Sequence, residues 1–206
     1  ITSYRGFLTY WVRMKKGKDM HFILDAAHFT DFRLQRNNYK VLVKLPETVS
    51  FTVVTSEDNF IFEMEELISK KIATMPSPSL GAVRLNEMFP NPSRLPFIIQ
   101  ASDSVDAVNR VLDGSVDAAI IPSPLVGNYG SLNSVIVTES VPHMGLSASP
   151  EVPEEVAQAV KKALLDAPNT AEGKKMLADL NIVSFQDTSA DTYSGYADLL
   201  DGVFGY

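Results

Sequence analysis

The residues of this chain best suited to chemistry are hydroxyls at helix starts. His21, His28 and His143 are far apart and show neither an HExxH arrangement nor paired-ligand spacing, so no dedicated metal site is expected. Cysteine is absent, which removes disulfides, thiolate ligands and a cysteine nucleophile. Gly145-Leu-Ser147-Ala-Ser149 approaches the nucleophile elbow of serine hydrolases, but it ends in Ser instead of Gly and no strand-to-helix turn follows. Neither a Walker sequence nor GxGxxG occurs, and no cofactor is expected. What remains is Pro76-Ser77-Pro78-Ser79, a turn between the apolar strand Ile72-Ala-Thr-Met75 and the helix it opens. The first N–H groups of a helix lack intrahelical acceptors, and aligned peptide dipoles leave partial positive charge there, so such a turn suits an anion. Ser77 and Ser79 add hydroxyl donors, and Gly81 permits another surface to come close. Read more plainly, Ser79 caps its helix. Pro78 has no amide proton to offer, and Arg84, more than a turn into the helix, is expected to face solvent.

Three other helix beginnings follow strands: Ala27-His28-Phe29-Thr30, Ser102-Asp103-Ser104 and Pro122-Ser123-Pro124. In an open α/β sheet the carboxyl ends of the strands gather on one edge, and ligands sit there. Ser102 is suited to capping, and the carboxylate of Asp103 repels anions, so that turn fits a hydroxyl or amine instead.

Positioning these turns is the task of the remaining chain. It has 206 residues, 45% of them hydrophobic, enough for a real core, and a net charge of −7, which disfavours nucleic acid and anionic lipid. No run of about 18 apolar residues spans a bilayer. Ile1-Thr-Ser-Tyr-Arg has neither a charged n-region nor an apolar core, so no signal peptide opens the chain, and Ile1 is not expected to be the biological start. A helix capped by Ser3 is expected from Tyr4 to Lys16, where Gly17 ends it. Strands are expected at Met20–Leu24, Tyr39–Leu45, Ser50–Thr55, Leu95–Gln100, Val116–Ile121, Ser134–Thr138 and His143–Ser149. Helices are expected from the 28–31 turn to Arg36, from Glu65 to Lys71, after Ser79, and from Ser102 to Gly114. Three more are expected over Pro153–Asp166, Ala171–Leu180 and Ser189–Leu200. The alternation in the middle implies parallel strands with crossover helices, an α/β layer.

In this order the elements resemble the type 2 periplasmic solute-binding proteins, and among them the phosphate/phosphonate-binding branch of ABC transporter receptors. Glu66-Leu67-Ile68-Ser69-Lys70-Lys71-Ile72-Ala73 fills that branch's Asp-Leu-Lys-Gly-Lys-x-Ile-Ala segment, and Ser77 and Ser79 fill two positions of the hydroxyl-rich turn that follows it. Asp106-Ala-Val-Asn-Arg-Val-Leu-Asp-Gly114-Ser-Val-Asp117-Ala-Ala is similar to the family's Ala-Val-x-x-Gly-x-Val-Asp-Ala. Lys18-Asp19-Met20-His-Phe-Ile-Leu-Asp25-Ala-Ala-His28 looks like the strand that ends in the first lobe's ligand-facing turn. Pro78 stands where the family often has a hydroxyl residue.

The resemblance implies a two-lobed α/β architecture: residues 1–55 with 141–206 as the first lobe and 56–140 as the second, with crossovers near Thr55 and near Ser140–Pro142. The family's opening strand-helix-strand has no counterpart here, so the first lobe is expected to be incomplete. Ligand would lie between the lobes, which hinge closed around it. Ser77, Ser79 and Ser102 would contact it from one lobe, with Tyr4, Ala27 and His28 from the other. Tyr4 and His28 are equally suited to buried structural roles, and His143 reads as packing at the second crossover. The implied function is a receptor that delivers a small anionic solute to the membrane permease of an ABC transporter, in the periplasm or lipid-anchored outside the cytoplasm. A ligand-sensing domain of a signalling system is the alternative. An enzyme such as the thiamine-pyrimidine synthases of this fold would need a cysteine-rich segment that this chain lacks.

Overall fold

Turn residues and apolar periodicity place most of the elements in the computed structural model, which describes residues 6–17, 20–203 and 206. The chain begins with α1 (Phe7–Lys15), β1 (Phe22–Asp25), α2 (Ala27–Asn37), β2 (Lys40–Lys44) and β3 (Thr48–Val49). The middle holds β4 (Phe51–Ser56), β5 (Lys71–Thr74), α3 (Leu80–Met88), β6 (Phe97–Gln100), α4 (Ser104–Leu112), β7 (Ala118–Pro122), α5 (Ser123–Val126) and β8 (Leu132–Val137). Then come β9 (Val141–Pro142), β10 (Gly145–Ala148), α6 (Glu154–Leu165), α7 (Ala171–Asp179) and β11 (Gln186–Asp187). No helix among the described residues is long and apolar enough to cross a membrane.

The chain divides into two compact α/β units, unit 1 built on Val49–Ser140 and unit 2 on Val12–Thr48 with Val141–Asp201. Trp11, in α1, also belongs to unit 1, and the passage from unit 2 into the unit 1 sheet falls between Thr48 and Val49, where the sequence places a crossover near Thr55. The reason is β4, which is hydrogen-bonded between β7 and β8 in the unit 1 sheet.

Unit 1 carries a five-stranded sheet in the order β6-β5-β7-β4-β8. β5 runs parallel to β6 and β7, whereas β4 is antiparallel to β7 and β8, so the sheet is mixed and not parallel throughout. Parallel pairing needs a crossover connection, which α3 supplies between β5 and β6 and α4 between β6 and β7. β4 is joined to neither neighbour in this way. Val108 and Val111 of α4 pack on Val54, Ala73, Ala119 and Ile121 of the sheet, all fully or almost fully buried. Each such Val or Ile side chain contributes about 1.5–3 kcal/mol. Gly81 lets α3 approach the sheet, since a Cβ there would come within 3.3 Å of the Phe51 ring and of Thr74 Oγ1. The helix expected over Glu65–Lys71 shortens to a 3₁₀ turn at Met64–Leu67, and Ser69 in the left-handed region (φ 64) prevents its continuation.

Unit 2 holds an antiparallel sheet in the order β1-β10-β2-β11. Gly17 (φ 60) and Asn38 (φ 55) end α1 and α2 in the left-handed conformation that such caps use. The first two turns of α2, Ala27 to Arg33, are buried, and its Asp31 carboxylate accepts the Ala197 N–H at 2.8 Å. That bond ties down the C-terminal segment. A helix over Ser189–Leu200 is not formed, because Gly195 (φ 88) divides the stretch into 3₁₀ turns at Ala190–Tyr193 and Tyr196–Leu200.

Candidate ligand-binding site

Strand direction gathers several polar turns on one edge of the unit 1 sheet. Thr74 of β5 is in register with Gln100 of β6, and β5 is parallel to β7, so the turns that follow these strands leave the same edge. They contain Ser77 and Ser79, Ser102, and Ser123. β4 runs the other way with Phe51 opposite Pro122, which delivers Ser50 to this edge as well. β8 ends here too, where Thr138 Oγ1 accepts the Phe51 N–H at 3.0 Å.

The two serines of the leading turn differ. Ser79 is buried; its hydroxyl donates to the Met75 carbonyl at 2.9 Å and accepts the Ala82 N–H at 3.3 Å, which makes it the N-cap of α3. Its proton is therefore spent inside the turn. Ser77 is exposed, and among the described residues its hydroxyl makes no hydrogen bond, so it is the free donor beside the first amides of α3. Arg84 does not face solvent as the sequence predicts. It is 5% exposed, with its guanidinium bonded to Glu87 Oε2 at 2.6 Å and to the Glu139 carbonyl at 3.2 Å, and its Nε is buried without an acceptor. A cation is thus held close to the end of β8.

Ser102 is exposed, its N–H bonded to Asp106 Oδ2 at 2.8 Å. The cap of α4 is Asp103, which accepts the Asp106 N–H. The Arg110 hydrogen bond, and then Ser102, hold the Asp106 carboxyl below the ordinary carboxylate range. This turn presents two carboxylates, an acidic neighbour for the Ser77 turn.

Sequence reasoning missed a hydroxyl array at the same edge. Ser50 Oγ and Thr52 Oγ1 each lie 2.8 Å from Ser123 Oγ. The only signal was Ser123 standing between two prolines after a strand.

Ala27 and His28 belong to unit 2, both fully buried at the start of α2, with the His28 ring 4.0 Å from that of Phe29. Tyr4 lies outside the described residues. His143 is half-buried; its Nδ1 accepts the Met144 N–H at 2.7 Å, and its carbonyl accepts the Tyr193 hydroxyl at 2.9 Å. Burial, with the Lys44 charge adding and Glu47 opposing, holds its pKa below the ordinary histidine value. Protonation would set an N–H against the Met144 amide. Because the folded-state pKa is depressed, the unfolded chain takes up the proton first as pH falls. This group's contribution to stability is present above about pH 6.5 and is lost below it. His143→Gln is expected to flatten that part of a plot of Tm against pH; a profile identical to that of the parent would exclude the assignment.

Residues 13–193 match the family model described as ABC transporter, phosphonate, periplasmic substrate-binding protein. The fold is similar to that of a Xanthomonas citri protein bound to ATP, with a TM-score of 0.77 and 12% identity over 95% of this chain and 84% of that one. PhnD1 from Prochlorococcus marinus in complex with methylphosphonate gives 0.76 and 13% over 96% and 83%. A binding protein component of an ABC phosphonate transporter from Pseudomonas aeruginosa gives 0.72 and 14% over 92% and 71%. At these identities the likeness speaks for the fold alone. No curated protein matches the chain. The family match runs through both units, from residue 13 to residue 193, and by it the chain belongs to the phosphonate periplasmic substrate-binding proteins of ABC transporters, the solute-binding receptors of such uptake systems.

Proposed function

We propose that the chain binds a small phosphonate or phosphate ester at the carboxyl edge of the unit 1 sheet and delivers it to a membrane permease. Its place is the periplasm, free or lipid-anchored. The observation that carries this reading is the unspent Ser77 hydroxyl beside the α3 helix start, on an edge where Ser123 also converges. Partial positive charge at the helix start and hydroxyl donors together favour an oxyanion. Ser79 acts indirectly, by holding the turn, and Ser102 is placed for a polar group at the far end of the ligand. The role read here is binding, in keeping with the substrate-binding family to which the chain belongs.

Titration calorimetry with methylphosphonate tests this. Ser77→Ala is expected to weaken binding about tenfold or more, the worth of one hydrogen bond to a charged group, with Tm unchanged. Ser79→Ala is expected to cost about 1 kcal/mol of stability as a lost cap. Full-strength binding by Ser77→Ala would remove the ligand from this turn.

A further inference from the structure

Three hydroxyls meet at the end of β7, and their protons can be counted. Ser50, Thr52 and Ser123 carry one proton each and make two mutual contacts, both to Ser123 Oγ at 2.8 Å. Each contact consumes one proton, so one is left over whichever way the bonds run. Among the described residues no other group hydrogen-bonds these three oxygens. Thr52 is 2% exposed, cut off from water, and Ser123 is the acceptor within its reach. With Thr52 and Ser50 both donating, the two lone pairs of Ser123 are filled and its own proton is the spare one. Ser123 is only half-buried, so that proton is accessible.

Pro122 and Pro124, on either side, have no N–H. The Ser123 N–H is spent on the Ser50 carbonyl at 3.0 Å. In that arrangement the Ser123 side chain donates and does not accept. β7 is parallel to β5, so it stands on the edge that carries Ser77.

We propose that Ser123, with both lone pairs filled by Ser50 and Thr52, is a donor-only ligand contact that selects a phosphoryl oxygen and gives no acceptor to an ammonium group. This rests on the reading of the unit 1 edge as the binding site. A serine free to rotate would serve either kind of ligand atom; the array removes that choice. Thr52, buried beneath, is a positioning residue, and Thr52→Val would return one lone pair to Ser123 and blunt the preference.

The test is calorimetry of the full chain with methylphosphonate and with inorganic phosphate, on the parent, Ser77→Ala, Ser123→Ala, Ser123→Thr and Thr52→Val, with ligand-free Tm measured for each. The expected result is a loss of about tenfold or more in Ser123→Ala, near-parental affinity in Ser123→Thr, which keeps the hydroxyl, and a smaller loss in Thr52→Val. If Ser123→Ala does not fold, Ser123→Cys, similar in size with a weak donor, carries the same expectation. Parental affinity in Ser123→Ala together with weakened binding in Ser77→Ala would overturn the role of Ser123 and leave the site standing. No binding of either probe by the parent chain would overturn the site itself, and this role with it.

Discussion

Asp25→Asn is expected to destabilise unit 2 by about 3–5 kcal/mol, the cost of breaking a buried ion pair from one side. The Asp25 carboxylate receives the Arg33 guanidinium through both oxygens, at 2.5 and 2.6 Å, and the Arg33 side chain is wholly buried while that of Asp25 is 12% exposed. Ser147 Oγ accepts from Arg33 Nη2 at 3.0 Å and from Nε at 3.2 Å, and the Thr30 hydroxyl reaches Asp25 Oδ1 at 3.2 Å. Asparagine preserves the volume but takes the carboxylate charge away from the buried guanidinium. Each single change breaks the pair from one side, so Asp25→Asn with Arg33→Met is expected to be less destabilised than the sum of the single changes. Urea midpoints of the two singles and the double measure this. A loss below about 1 kcal/mol in Asp25→Asn would show that the site rehydrates freely.

Gly145→Ala is the second large effect. A Cβ at Gly145 would stand 2.8 Å from the Tyr193 hydroxyl, 2.9 Å from its Cζ and 3.2 Å from Thr30 Cγ2. Tyr193 cannot swing away cheaply: it is fully buried and its hydroxyl is bonded to the His143 carbonyl. Burial also raises the Tyr193 pKa, so the hydroxyl stays protonated and keeps donating. Overpacking of this kind costs about 1–3 kcal/mol. Tyr193→Phe in the Gly145→Ala background removes the nearest contact but not the Cζ contact, so partial rescue is expected in thermal unfolding. Parental stability in Gly145→Ala would mean that β10 and the Ala190–Tyr193 turn separate at little cost.

The parts legible in the sequence are those set by neighbours in the chain. Ile72 to Ser79 reads as strand, turn and helix start because its apolar run, prolines and serines act locally, and Gly17 and Gly114 mark helix ends through their own backbone freedom. The resemblance carried the rest of the fold, and the family match sustains it. What stayed hidden depends on partners far away in sequence. The antiparallel placement of β4 is a matter of which strands it meets, and the burial of Arg84 depends on the carbonyl of Glu139. The Ser123 array joins residues 71 and 73 positions apart. Periodicity over a window of one helix or strand holds no information on such pairings.

The location of the ligand is tested most directly by titrating methylphosphonate into ¹⁵N-labelled protein and following the backbone amides. In unit 1 the expected result is that the largest shifts fall on Ser77, on Ser79 to Ala82 at the start of α3, and on Ser102 and Ser123 at the ends of β6 and β7. Binding that leaves those amides still, with shifts confined to the opposite edge of the sheet near Lys71 and Asp117, would contradict the assignment of the site.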